Sequence, residues 1–207
     1  RFTDRYYAYI KNAMQKGARI DAVGMQYHQF FLREEEYEKT RKSYSPVELY
    51  KHMDLYASLG KPLQVTEITI PAYSDSAEDE EIQAQLIEKL YPIWFSHPNM
   101  EQIIYWNLVD GYAAFAPMGD MTVGENYYRG GLLRFDMTPK PAYYVIKNLF
   151  EKKWHTEKVI VTAEDGSTVF NGFYGKYDVE IEVNGKKLEK EMHLRKDGKS
   201  VFDFKED

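Results

Sequence analysis

Glu67 is the residue whose type and place in this chain most invite chemistry. It stands near the end of Gln64-Val65-Thr66-Glu67-Ile68-Thr69-Ile70, a β-branched run bounded by Gly60-Lys61-Pro62 and Pro71. Such a run reads as a buried parallel strand. In a parallel α/β barrel the C-terminal strand ends form the catalytic face, so a glutamate there is a candidate for chemistry. The alternative is a structural carboxylate paired with a neighbouring Lys or Arg. A second run, Ile20-Asp21-Ala22-Val23-Gly24-Met25-Gln26, delivers Gln26, Tyr27 and His28 to its own C-terminal end. A third, Gln102-Ile103-Ile104-Tyr105-Trp106-Asn107-Leu108, carries Trp106 and ends at Asp110. Strand-end polars satisfied by neighbours, and a core tryptophan, are the plainer readings of these last residues.

Helices must separate these runs. Phe2 to Lys16 reads as helical, with Tyr6, Ile10 and Met14 on one face and Gly17 placed to end it. Phe30 to Tyr44 is a polar, charged loop or extension. Ser45-Pro46-Val47-Glu48 predicts a helix start with Ser as N-cap, running to Gly60. Ser74 to Glu81 is an acidic entry to a helix over Ile82 to Phe95, with Ile82, Leu86 and Leu90 on its apolar face. Thr138-Pro139-Lys140-Pro141 opens another, ending near Phe150. Strand and helix alternating in this way favour a parallel sheet with right-handed crossovers. The reading gives about three βα units, short of the eight in a full barrel of about 250 residues.

After Trp154 the pattern changes to period two. Lys158 to Thr162, Tyr177 to Val183, Leu188 to Leu194 and Ser200 to Phe204 are candidate strands. Asp165-Gly166, Asn171-Gly172, Asn184-Gly185 and Asp197-Gly198 are hairpin signals, so a small antiparallel β domain is expected over 151–207, after an α/β part over 1–150. Phe170, Phe173, Tyr174 and Tyr177 form either a sugar-binding patch or, more simply, packing.

Composition narrows the partners. With 207 residues, 43% of them hydrophobic, the chain is long enough for one substantial core, with or without a small satellite. A net charge of -6 with no dominant Lys/Arg block gives no reason to expect nucleic acid or an anionic membrane. No apolar stretch approaches the roughly 20 residues of a membrane helix, and the opening residues lack the form of a signal peptide. Absence of cysteine excludes disulfides and thiolate metal sites. Aromatics reach 15%, including 18 Tyr, and exposed aromatic faces commonly hold sugar rings or other flat ligands.

Four segments together resemble glycoside hydrolase family 10, whose members are mostly endo-β-1,4-xylanases on a (β/α)8 TIM barrel. They are Ile20 to His28, Val65-Thr66-Glu67-Ile68, Tyr105-Trp106-Asn107-Leu108-Val109-Asp110-Gly111, and Leu132-Leu133-Arg134-Phe135-Asp136 followed by Lys140-Pro141-Ala142-Tyr143-Tyr144. Their order and spacing match the last three strands of that barrel, over roughly residues 5–150. The resemblance implies an α/β fold that is the C-terminal portion of a TIM barrel. It also implies retaining hydrolysis of xylan by two carboxylates about 5 to 5.5 Å apart, without cofactor or metal. Glu67 falls on the nucleophile, His28 on the histidine that orients it, and Gln26 lies beside it. Trp106 falls on the tryptophan beneath the sugar at the scissile bond. Tyr112, Phe115, Asp110 and Arg129 are further candidate substrate contacts, the last two equally able to pair with each other or a neighbour.

Three departures stand against the family pattern. Thr69 occupies the place of an aspartate two residues after the nucleophile, so the histidine loses a charged partner. Ala114 occupies the place of a second tryptophan, with Phe115 beside it as a substitute. The acid/base glutamate belongs to an Asn-Glu motif on an earlier strand, and the chain contains no Asn-Glu dipeptide. The expectation is a chain that supplies half of a catalytic pair and is nearly inert alone. The N-terminal part of the same barrel, or self-association, would close it around xylan or a xylo-oligosaccharide. An extracellular destination follows from the family's polymeric substrates. A non-catalytic carbohydrate-binding protein on the same scaffold is the alternative, favoured by Thr69 and Ala114, and a purely structural interaction domain is a third.

Overall fold

Three β-branched runs become one parallel sheet. The computed structural model describes residues 2–204, which divide into two compact units, one up to Lys147 and one from Asn148. In the first unit the order is α1 (Phe2–Gln15), β1 (Val23–His28), a 3-10 turn (Arg33–Glu35), α2 (Glu36–Thr40), α3 (Pro46–Ala57), β2 (Leu63–Thr69), α4 (Ala77–Ser96) and β3 (Met100–Ile103). A long irregular segment follows, containing a second 3-10 turn (Gly124–Tyr128), and then α5 (Pro141–Asn148). The sheet order is β1-β2-β3, all parallel. Val23, Leu63, Val65, Ile68 and Ile70 are at most 2% exposed, whereas Gly24, Gln64, Thr66 and Glu67 between them are half-buried, so one face of the sheet is covered more completely than the other.

Strand boundaries move by one to five residues from the expected ones. β1 runs to His28 itself, and β3 is assigned two residues early and ends at Ile103. The third strand's pairing nevertheless continues, because Ile104 N–H donates to Val65 O at 2.8 Å and Trp106 N–H to Ile68 O at 2.9 Å. Register between β1 and β2 shifts after Met25. Met25 pairs with Val65 and Gln26 with Glu67, so Thr66 is the extra residue. A bulge of this kind re-aims the side chains beyond it. Here it sets Gln26 against Glu67 and His28 against Thr69.

The helices correct three expectations. α3 begins at Pro46 with Ser45 at the cap position, but the serine side chain makes no capping bond, and the helix ends at Ala57. Ser76, by contrast, accepts from Asp79 N–H at 3.2 Å and caps α4. The buried stripe of α4 is Gln83, Ala84, Ile87, Leu90, Tyr91 and Trp94, while Ile82 is 47% exposed. The apolar reading missed this because two core-facing positions are polar and hydrogen-bonded within the core, with Gln83 Oε1 left unpartnered among the described residues. Gln83 Nε2 donates to Ile70 O at 2.8 Å, and Glu80, 2% exposed, receives two bonds from the Arg134 guanidinium. Residues Phe30 to Tyr44 are not plain loop, since they hold the first 3-10 turn and α2.

The second unit contains one hairpin, β4 (Gly175–Val183) with β5 (Lys186–Leu194), antiparallel. Asn184 and Gly185 have φ of 51° and 77°, the left-handed pair that a two-residue hairpin turn requires. The other two expected strands, Lys158 to Thr162 and Ser200 to Phe204, are not formed. Val159 and Val161 lie almost fully exposed. Alternation alone does not make a strand when no partner ladder accepts its hydrogen bonds. Phe170 and Tyr177 meet edge to face at 5.7 Å, whereas Tyr174 is 66% exposed. No helix among the described residues is long and apolar enough to cross a membrane.

Candidate active site

Glu67 is held from two sides by residues of β1. Gln26 Nε2 donates to its Oε1 at 3.0 Å, and His28 Nε2 meets its Oε2 at 2.8 Å. The far ring nitrogen, His28 Nδ1, lies 3.0 Å from Thr69 Oγ1. Side-chain exposure is 23% for Glu67 and 16% for His28, so a carboxylate oxygen remains reachable at the end of a strand whose body is buried. An ionised carboxylate only accepts, so Nε2 must carry the proton and donate. Nδ1 of a neutral ring then accepts from the Thr69 hydroxyl. Threonine supports that tautomer, where an acceptor-only carboxylate would require a second ring proton. The histidine therefore keeps a partner on both nitrogens despite the departure at residue 69. The ring is also clamped, stacked on Phe30 at 4.6 Å and 11°, and edge-on to Trp106 at 5.8 Å and 79°.

Trp106 is 43% exposed and anchored at its polar edge, where Nε1–H donates to Glu125 Oε2 at 2.9 Å. Asn107 Nδ2 donates to the same oxygen at 3.1 Å. Tyr112 is 48% exposed and stacks on Phe135 at 5.4 Å. Phe115 is fully exposed with φ of 62° and touches no other ring among the described residues. Half-exposed aromatic faces of this kind suit the apolar C–H face of a sugar.

Asp110 and Arg129 each pair with a neighbour, one of the two readings open to them. Asp110 is 4% exposed; its Oδ2 lies 2.5 Å from Lys140 Nζ and its Oδ1 accepts Gly131 N–H at 2.7 Å. Burial pushes the Asp110 carboxyl up and the Lys140 ammonium down, against their mutual attraction. A Cβ on Gly131 would come within 2.5 Å of Asp110 N, so only glycine allows this approach. Arg129 Nε donates to Asp75 Oδ1 at 2.7 Å, and its carbonyl accepts from Lys140 Nζ at 2.8 Å. Both residues thus tie together segments distant in sequence.

Sequence reasoning missed Phe30, Glu125 and Asn126. None lies on a periodic element, and the one available signal for the last two was the polar and aromatic cluster Glu125-Asn126-Tyr127-Tyr128 after a glycine. It also missed the bridge between the 3-10 turn after β1 and the first turn of α4. Arg33 donates to both oxygens of Asp79 at 2.7 and 2.5 Å, and Ser74 Oγ adds a bond to the same carboxylate. No cluster of acidic or histidine side chains among the described residues has the arrangement of a metal site.

The family model for Glycosyl hydrolase family 10 matches residues 1–149. Endo-1,4-beta-xylanase B of Thermotoga neapolitana is 26% identical over 153 residues, which are 71% of this chain and 39% of that protein. Anti-sigma-I factor RsgI6 of Acetivibrio thermocellus is 28% identical over 137 residues, 65% of this chain and 15% of that protein. The crystal structure of native xylanase 10B from Thermotoga maritima superposes with a TM-score of 0.54 at 26% identity, over 73% of this chain and 43% of that one. The chain thus spans well under half the length of these relatives. It belongs to glycosyl hydrolase family 10.

Proposed function

We propose that the chain forms the C-terminal part of a TIM-barrel retaining endo-1,4-β-xylanase and supplies Glu67 as its nucleophile. What supports this most is the two-sided hold on Glu67 by Gln26 and His28 at the C-terminal ends of adjacent parallel strands. A nucleophilic carboxylate must be ionised and aimed to attack the anomeric carbon, then leave as water arrives. Two hydrogen-bond donors fix both its charge and its direction. Trp106 presents a stacking face beside it, with Tyr112 and Phe115 further along the same segment.

The acid/base carboxylate lies on strands outside these residues. Without it the leaving oxygen receives no proton, a deficit of about 10² to 10⁴ in rate. β1 and β3 are the two edges of the sheet, and the remaining barrel strands, or a second copy, cover them. The substrate is a β-1,4-linked xylan and the site of action is outside the cell, where such polymers occur.

An activated 2-deoxy-2-fluoro xylobioside tests the nucleophile, because its good leaving group needs no general acid. Intact-mass analysis is expected to show one adduct, on Glu67, absent in Glu67→Gln. An adduct elsewhere, or equal labelling of the Gln variant, would overturn the assignment. A non-catalytic glycan-binding role is the second reading, favoured by Ala114 and by Thr69. Hydrolysis of xylan once the missing strands are supplied would exclude it; tight binding of xylotetraose with neither adduct nor hydrolysis would establish it.

A further inference from the structure

We propose that Glu125 is a positioning residue for Trp106, fixing the indole by its Nε1–H and leaving Oε1 to accept a hydroxyl of the sugar ring stacked on that indole. The sugar half of this inference rests on the reading of the site given above; the brace itself does not. Glu125 uses one oxygen for both of its protein contacts, Trp106 Nε1 at 2.9 Å and Asn107 Nδ2 at 3.1 Å. Its Oε1 takes no partner among the described residues. The next residue works in the opposite direction. Asn126, 2% exposed, accepts Ala113 N–H at 3.0 Å through Oδ1 and donates to Pro117 O at 3.1 Å through Nδ2. The 3-10 turn Gly124–Tyr128 therefore ties the end of the third strand, through Glu125, to the segment bearing Tyr112 and Phe115, through Asn126. Gly124 at φ 56° lets the chain enter the turn. Trp106 is edge-on to His28, which holds Glu67.

The physical need is clear from exposure. A tryptophan 43% exposed has too few neighbours to fix its ring by packing alone, and a stacking platform contributes only when its plane is already set. A charge-assisted bond at the indole nitrogen sets that plane without covering either face. The free carboxylate oxygen beside it accepts from a hydroxyl at the ring's rim, which makes Glu125 selective for a sugar with an equatorial hydroxyl at that position.

The test uses the full chain, ¹⁵N-labelled. Its three tryptophans give three indole N–H signals, and the one lost in Trp106→Phe identifies residue 106. In the wild type this proton is expected to exchange with solvent at least about tenfold more slowly than free indole. Glu125→Ala is expected to displace that signal and abolish the protection, with the Trp94 and Trp154 signals unmoved. Glu125→Gln keeps one oxygen for both donors and is expected to keep the Trp106 signal near its wild-type place. Exchange at the free-indole rate in the wild type, or an unmoved Trp106 signal in Glu125→Ala, would overturn the brace. Xylotetraose titration reads the other half: about tenfold weaker binding is expected for Glu125→Gln, which turns the free acceptor into a donor, and more for Glu125→Ala. Wild-type affinity in Glu125→Gln would overturn the hydroxyl contact. Absence of xylotetraose binding by the wild type would overturn the sugar half together with the reading it rests on, while the indole signals still decide the brace.

Discussion

The Nδ1 of His28 lies 3.0 Å from the hydroxyl oxygen of Thr69, on the far side of the ring from the Nε2 that meets Glu67 at 2.8 Å. Thr69 is wholly buried and sits opposite His28 in the sheet register. Thr69→Val keeps the shape and removes the hydroxyl, which leaves Nδ1 facing a methyl group. The cost of an orphaned buried acceptor is about 1 to 3 kcal/mol. It appears either as lost stability or as a ring that turns to satisfy the nitrogen. The expected outcome is a roughly tenfold fall in the rate of Glu67 labelling by the fluorosugar. Labelling at the wild-type rate would show that the Thr69 bond does not orient the histidine. Ring nitrogen shifts in ¹⁵N-labelled protein give a second check, with the proton expected on Nε2.

The Asp110–Lys140 pair is the most buried ion pair among the described residues, with side chains 2% and 0% exposed. Breaking such a pair strands one charge in the interior and typically costs about 3 to 5 kcal/mol, whereas replacing both partners by apolar residues of similar volume is often close to neutral. Asp110→Asn and Lys140→Met are each expected to destabilise in urea titrations by an amount in that range. Asp110→Leu combined with Lys140→Met is expected to lose less than the sum of the two. Additive losses would mean that Asp110 and Lys140 do not act as a unit.

Much of this arrangement was legible in the sequence, and the part that was not has a common cause. The strands read clearly because β-branched runs bounded by Gly and Pro carry their own signal, and Glu67 was conspicuous as a charge in one of them. The bulge at Thr66 was not legible, because register belongs to two strands and neither run alone encodes it. For Asp110 and Arg129 the resemblance left substrate contact and pairing with a neighbour equally open, and the pairing partners were not legible because Lys140 and Asp75 come from distant segments. Ile82 was assigned to the core for the opposite reason, since polar Gln83 and Glu80 take the inward positions through specific bonds. Glu125 lies on no periodic element, and its one signal, the polar and aromatic cluster after Gly124, names no partner.

Acid stability depends on the bridge between Arg33 and Asp79. The Arg33 guanidinium, helped by the Ser74 and Ser76 hydroxyls, holds the Asp79 carboxyl below the usual carboxylate range although burial opposes this. The carboxyl thus binds its proton more weakly in the folded chain than in the unfolded one. Its contribution to stability is complete above the unfolded value of about 3.9 and disappears as the pH falls through the lower folded value. Asp79→Asn is expected to lower stability at neutral pH and to flatten the acid limb of a stability–pH curve below about pH 4. An unchanged acid limb would show that other carboxylates govern it.

The hairpin carries a charge conflict that a single substitution can relieve. Asp178 stands directly opposite Glu191, and Glu180 opposite Glu189, so four carboxylates face one another across two rungs of the ladder. Like charges directly opposed in an antiparallel pair destabilise it. Relief is partial: Lys187 reaches one of the four, Glu180, at 2.6 Å. Glu191→Lys converts the repulsive rung at Asp178 into an attractive one without touching the apolar face, where Tyr177 opposes Met192 and Ile181 opposes Leu188. The variant is expected to show stronger amide protection in β4 and β5 at low ionic strength than the wild type. The gain should shrink toward zero in about 1 M salt, where the Debye length falls to about 3 Å. A gain that persists undiminished in high salt would trace the effect to strand propensity instead of charge, and no gain at all would mean that the two carboxylates splay apart in solution.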